Sequence, residues 1–128
     1  MPDDIPKPTS EAPLRFVKSR GPTTFYELLE AIRKRPSVYL GHKSLAAFAS
    51  WYEGYRYAKL ESHGGDSPEM AEFQAFDEFV CNKYDWHDVG GWSAKIAYYN
   101  RDDAAALDEF FKLLDEFRAS RKQHPERT

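Results

Sequence analysis

Apolar residues recur at Phe25, Leu28, Leu29 and Ile32, the i, i+3, i+4, i+7 spacing that lays a stripe along one face of an α-helix. The flanking residues supply both ends of that helix. Thr24 and Glu27 stand at capping-box spacing, in which the hydroxyl and the carboxylate each satisfy an orphan N–H. Arg33, Lys34 and Arg35 suit the carbonyl end of the helix dipole. Pro36 lacks an N–H and restricts Arg35, so the pattern predicts a stop there, giving a helix over 24–35. Residues 37–43 must then turn the chain, with Gly41 at positive φ. Tyr39 and Leu40 are too apolar for an idle loop and are expected to plug back into the core.

Four further segments carry periodic patterns. Ser44 caps a predicted helix over 44–61 with Leu45, Phe48, Tyr52 and Tyr55 on its stripe, widened by Ala49 and Trp51. Gly54 costs about 1 kcal/mol in a helix interior, which points to a close crossing with a neighbouring helix or, alternatively, to a local kink. Tyr57 lies off the stripe among Ser50, Glu53 and Glu61, either on a second buried face, the reading preferred, or as an exposed anchor. After the Gly64-Gly65 loop, Ser67, Pro68 and Glu69 open a helix over 67–83 with Met70, Phe73, Phe76, Val80 and Tyr84 inward. Residues 92–99 fit a helix through Trp92, Ile96 and Tyr99, or a strand through alternation. A lone strand has no partner in this chain, which favours helix. Asn100 or Asp103 starts the last helix, over 102–120, whose Leu107, Phe110, Phe111, Leu114 and Phe117 form the cleanest stripe. The expected core is Leu28, Leu29, Ile32, Tyr39, Leu40, Phe48, Tyr52, Phe73, Phe76, Val80, Trp92, Ile96, Phe110, Phe111 and Leu114.

The fold class that follows is all-α, a single compact domain of about five helices over 23–120. A Pro-rich flexible leader (1–22, five prolines) precedes it and a frayed, disordered tail (121–128) follows. Twenty aromatic residues give a chain of 128 residues enough bulk for a core. A single cysteine, Cys81, has no internal disulfide partner, so a cytoplasmic setting is expected, with Cys81 a buried structural thiol. No apolar run approaches the length of a membrane span. The net charge of −3 conceals an acidic body: residues 23–117 hold ten basic against seventeen acidic side chains, a net of −7. Such a body disfavours nucleic acid, whose phosphates need clustered Lys and Arg, and suits a basic protein partner.

Candidate chemistry concentrates in residues 85–91, DWHDVGG, where Trp86 and His87 sit between the carboxylates Asp85 and Asp88 ahead of a glycine pair. His87 with Asp85 or Asp88 has the makings of a base and its orienting group, yet no Ser, Cys or Lys nucleophile accompanies them at a familiar spacing. Histidines 42, 63, 87 and 124 form no H-x-x-x-H pair. Glu69 and Glu72 share a helix face without the Glu-x-x-His motif of di-iron bundles. No Walker loop or Rossmann fingerprint occurs. The expectation is a non-enzyme without cofactor or metal.

The segment RKRPSVYLG at 33–41 resembles a short word in the ATPase domain of type II topoisomerases, but the helix after it lacks the Glu and Asn that serve nucleotide there. A longer set of words resembles small helical bacterial immunity proteins encoded beside polymorphic toxins. It comprises F-x-x-L-L-x-x-I-R-x-R-P-x-x-Y-L-G at 25–41, Ser44-Leu45, Gly54-Tyr55, Gly91-Trp92 with Lys95-Ile96, and FFKLLDEF at 110–117. This resemblance implies helix for 92–99 and, as function, stoichiometric binding that occludes the active site of a cognate toxin. The expected partner is a toxin with a basic active-site surface, bound by a monomer or weak homodimer, with no nucleic acid and no membrane involved. The expected toxin-binding residues are Tyr57, Glu72, Asp85, Trp86, His87 and Asp88. The alternative is a small nucleotide-binding protein or enzyme using the RKRPSVYLG turn and the DWHDVGG loop.

Overall fold

The computed structural model describes residues 24–123, and within them the chain is helical apart from its connecting turns and loops, with no strand. Both the leader over 1–22 and the last five positions of the expected tail lie outside the described residues. Helix α1 (Phe25–Lys34) opens with the expected capping box: Thr24 Oγ1 accepts from the Glu27 amide and Glu27 Oε1 accepts from the Thr24 amide, both at 3.2 Å. Phe25, Leu29 and Ile32 are buried, and Leu28 packs at the margin. Tyr26 is buried as well, which the stripe did not indicate. Its amide donates to Glu69 at 2.7 Å, its hydroxyl donates to Glu72 at 2.8 Å, and the Arg118 guanidinium covers its ring at 4.0 Å.

Pro36 ends α1 and also begins α2 (Pro36–Leu40), because a missing N–H is no loss at the first helical position. Gly41 closes this turn at φ +87°, donating its amide to Ser37 at 3.0 Å. The expectation that Tyr39 enters the core is overturned. A five-residue helix can aim only one side at the body. Pro36 and Leu40, four apart, take that side at half burial, while Val38 and Tyr39 face outward.

Helix α3 (Leu45–His63) buries Leu45, Phe48 and Tyr52. Its start is capped twice: Ser44 Oγ accepts from the Ala47 amide at 2.9 Å, and the Asp103 carboxylate accepts from Ser44 Oγ and, at 3.2 Å, from the Ala46 amide. Two sequence expectations fail on this helix. Gly54 is exposed and a methyl group there would touch nothing, so no helix crosses at that point. Tyr57 is 64 % exposed, because the neighbouring helices cover only the Phe48–Tyr52–Tyr55 side of the helix.

The helix predicted over 67–83 is two helices, α4 (Pro68–Phe73) and α5 (Phe76–Tyr84). Gln74 causes the break. Its side-chain amide donates to the Met70 carbonyl at 3.2 Å and to the Tyr52 hydroxyl at 2.9 Å, taking the acceptor that its own backbone N–H would use in a continuous helix. That N–H bonds Ala71 instead, at 3.2 Å. Residues 92–98 are helical, as α6 (Trp92–Tyr98), ended by Asn100 Nδ2 donating to the Ile96 carbonyl at 2.8 Å. In α7 (Asp103–Gln123) the Asp102 carboxylate caps the start, accepting from the Ala105 amide at 2.8 Å. Arg121 and Lys122, expected in the tail, belong to this helix.

The helices close around one aromatic centre. Helix α7 packs on α3, α5 and α6, and α1 packs on α4. Phe110, fully buried, has Phe48 at 4.7 Å, Phe111 at 4.9 Å, Trp92 at 5.0 Å and Phe76 at 5.4 Å between ring centroids. Trp92 and Leu40, expected inside, pack at the core's edge. Phe25, Met70, Leu107, Leu113 and Phe117 complete the core.

Candidate functional site

Helix α5 ends where Asp85 takes a left-handed conformation, φ +53° and ψ +48°. Aspartate tolerates that region better than most side chains. The Trp86 amide then reaches back to the Cys81 carbonyl at 3.0 Å, the six-to-one bond of a Schellman ending, so the chain leaves the helix in a defined direction. The indole lands edge-on against Tyr98 at 5.1 Å and Tyr99 at 5.9 Å, and Tyr84 stacks on Tyr99 at 4.5 Å. The loop and the outer face of α6 thus share one aromatic cluster.

What fixes the rest of the loop is Lys95. Its side chain is 1 % exposed, yet its Nζ faces two loop carbonyls rather than a carboxylate, donating to Asp88 at 3.0 Å and to Gly90 at 2.5 Å. The ammonium also lies 5.7 Å from the Trp86 ring centroid. A buried ammonium is tolerable only when its protons are used, and these contacts use them. The G-W-x-x-K-I word becomes intelligible at this point. Ile96 and Trp92 turn to the core, and Lys95 turns to the loop.

Held in this way, the loop presents Asp85, His87, Asp88 and Val89 to solvent, Val89 at 96 % exposure. His87 Nε2 lies 3.6 Å from Asp85 Oδ1, beyond direct hydrogen-bonding distance. Tyr98 and Tyr99 extend the surface, at 73 % and 53 % exposure. Sequence reasoning missed Lys95, Val89 and both tyrosines as parts of this surface. The two adjacent tyrosines after a glycine-bounded loop were the available signal, because a helix as short as 92–98 that already turns Trp92 and Ile96 inward has little inward surface left for both.

Asp85, Trp86, His87 and Asp88 therefore come together, whereas Tyr57 and Glu72 lie elsewhere. Tyr57 lines a shallow groove on α3 of about 240 Å³ with Glu53, Arg56, Leu60 and Asp66, where Arg56 grips Asp66 through two bonds of 3.1 Å. Glu72 is engaged by Tyr26 and, at 3.6 Å, by Arg121. Burial, reinforced by the bond to Glu72, raises the Tyr26 phenol well above its usual range. Neither Tyr57 nor Glu72 makes a hydrogen bond, ion pair or ring contact with the loop.

Chemically, the loop offers carboxylates, one imidazole and aromatic faces, while its ammonium is occupied by carbonyls. Cys81 is half-buried on α5. At the other candidate, the turn after α1, Arg33 is held by Asp115 at 3.0 Å and Lys43 by Asp108 at 3.0 Å, and Lys34 and Arg35 are exposed. Among the described residues no three His, Cys, Asp or Glu side chains gather as a metal site, and no helix is long and apolar enough to cross a membrane. No protein-family model, curated protein or solved structure matches the chain.

Proposed function

We propose that this chain is a bacterial immunity protein that neutralises a cognate polymorphic toxin by stoichiometric binding and occlusion of its active site. The observation that carries the reading is the 85–91 loop, in which a half-buried aromatic anchor lies beside two exposed carboxylates while a buried lysine ties down the loop's carbonyls. Binding surfaces gain from such preorganisation, because less conformational freedom is lost on association. Trp and Tyr are the side chains that most often anchor interfaces. The acidic body and the words shared with immunity proteins support the same reading. The working surface is Asp85, Trp86, His87 and Asp88, extended by Val89, Tyr98 and Tyr99. In this reading the protein acts in the cytoplasm, without a cofactor, as a monomer or weak homodimer.

The test is to search the genes flanking this chain for a secreted toxin, express it, and measure binding and protection together. A 1:1 complex is expected, with growth restored in cells making the toxin. The Trp86→Ala, Asp88→Ala double variant should keep its helical spectrum and lose protection, since truncating one member of a desolvated charge pair costs about 2–5 kcal/mol of binding. Protection without any complex would overturn the mechanism. Nucleotide retained by the purified protein would favour the alternative centred on the RKRPSVYLG turn.

A further inference from the structure

The fold holds arginine in a repeated way. The Arg118 guanidinium lies 4.0 Å from the Tyr26 ring centroid, with Glu72 bonded to the same tyrosine. Arg33 lies 5.4 Å from the Phe111 ring and pairs with Asp115 at 3.0 Å. Arg121 lies 5.5 Å from the Phe117 ring and 3.6 Å from Glu72. At Arg33 and Arg121 an aromatic face and a carboxylate together receive one guanidinium, and at Arg118 the ring alone does. The loop surface has the same two components without the third. Trp86 and Tyr98 meet edge to face, Asp85 and Asp88 stand beside the indole in sequence, and among the described residues no Arg or Lys pairs with either carboxylate. The single cation at the cluster, Lys95, approaches Trp86 from inside the protein and is committed to the loop carbonyls.

We propose that this surface is an arginine-recognition site. It takes one guanidinium from the partner, stacked on the exposed aromatic cluster and paired with Asp85 or Asp88, with Val89 and Tyr99 covering the apolar stem. Arginine fits better than lysine for three physical reasons. The guanidinium is planar and stacks on rings, it is less strongly hydrated than an ammonium and so loses less on desolvation, and its fork matches a carboxylate. This inference rests on the immunity reading for the identity of the partner, and it names the chemistry by which that partner is held. An arginine is also what an anion-binding toxin cleft would present, so capturing it would block substrate directly.

The experiment titrates the protein with two short synthetic peptides, identical except that one carries three arginines and the other three lysines spaced by glycine. Binding is followed by backbone and indole N–H chemical shifts at low salt. Saturable shifts are expected at the Trp86 indole and at residues 85–89 and 98–99, with the arginine peptide binding roughly three- to fivefold tighter. The Asp85→Asn, Asp88→Asn variant should stay folded, asparagine being at ease in the left-handed conformation of residue 85, and should lose both the binding and the preference. Equal affinity for the two peptides, shifts centred on the Tyr57 groove, or no saturable shift would each overturn the proposal. If the toxin binds but the peptides show no preference, only the arginine inference fails. If the peptides show the preference but no toxin binds, the immunity reading fails while the site stands.

Discussion

Replacing Lys95 by methionine removes the ammonium and keeps most of its buried stem. Two effects oppose each other. The two charge-assisted bonds to Asp88 and Gly90 are lost, each contributing about 1.5–3 kcal/mol when removed from one side. Against this, the native state no longer desolvates a charge, a saving of several kcal/mol. The acceptors decide the balance. Asp88 and Gly90 are exposed, so water can take up their carbonyls and no buried acceptor is left unpaired. The net loss should be small, about 1–2 kcal/mol, which in a domain of this size lowers the melting temperature by roughly 4–16 °C. The local effect should be larger, because Lys95 is the one side chain that ties down the loop's carbonyls. Backbone order parameters at residues 88–91 should fall from about 0.85 towards 0.6, while those of α5 and α7 stay unchanged. A variant with unaltered melting and unaltered order in the loop would refute the claim that Lys95 sets its shape.

Phe110→Ala should cost about 3–5 kcal/mol in chemical denaturation, since the ring is fully buried among five other aromatic rings; an unchanged midpoint would mean that α7 is wrongly placed. Asp103→Ala should cost about 1–2 kcal/mol, although it lies 57 residues from the Ala46 amide it receives, because it caps α3 from outside that helix. Loss of stability no greater than for an exposed alanine substitution would show that Ser44 caps alone. Burial, reinforced by Glu109, pushes the Tyr84 phenol up to about 12 from 10.0, so the folded state favours its neutral form. That contribution is complete below pH 10 and is lost as the pH rises towards 12. Melting temperatures measured from pH 9 upward should therefore fall more steeply for the wild type than for Tyr84→Phe, and parallel curves would contradict the assignment. At pH 7 the same variant should be as stable as the wild type or slightly more so, since the Tyr84 hydroxyl is buried without a partner.

What was legible in the sequence is what short-range chemistry decides. Thr24 with Glu27, Ser44 and Ser67 announce helix starts because a cap and its target lie three residues apart. Phe48, Phe73 and Phe110 announce the core because apolar spacing alone aims them inward. The misreadings share a different cause. Gln74 breaks a helix through Tyr52, a partner 22 residues away. Asp103 spends its carboxylate on α3 rather than on its own helix, leaving Asp102 to cap α7. Tyr39 looked like core by composition, but a five-residue helix has too little surface to bury both Tyr39 and Leu40. Of the candidate site, residues 85–88 could be read as a unit since they are contiguous. Lys95 could not, because nothing in its spacing says that a charged side chain will be the most buried group beneath a loop. Tyr57 and Glu72 were joined to that loop by residue type alone, and the fold places each among other partners.

The most direct test of the central claim is a hydrogen-exchange footprint of this protein in complex with the toxin partner that the proposed function requires. The account predicts new protection at residues 85–91 and 98–99, and no change at Tyr57 on α3 or in the turn after α1. Protection confined to the α3 groove or to residues 33–43, with residues 85–91 exchanging as in the free protein, would contradict it.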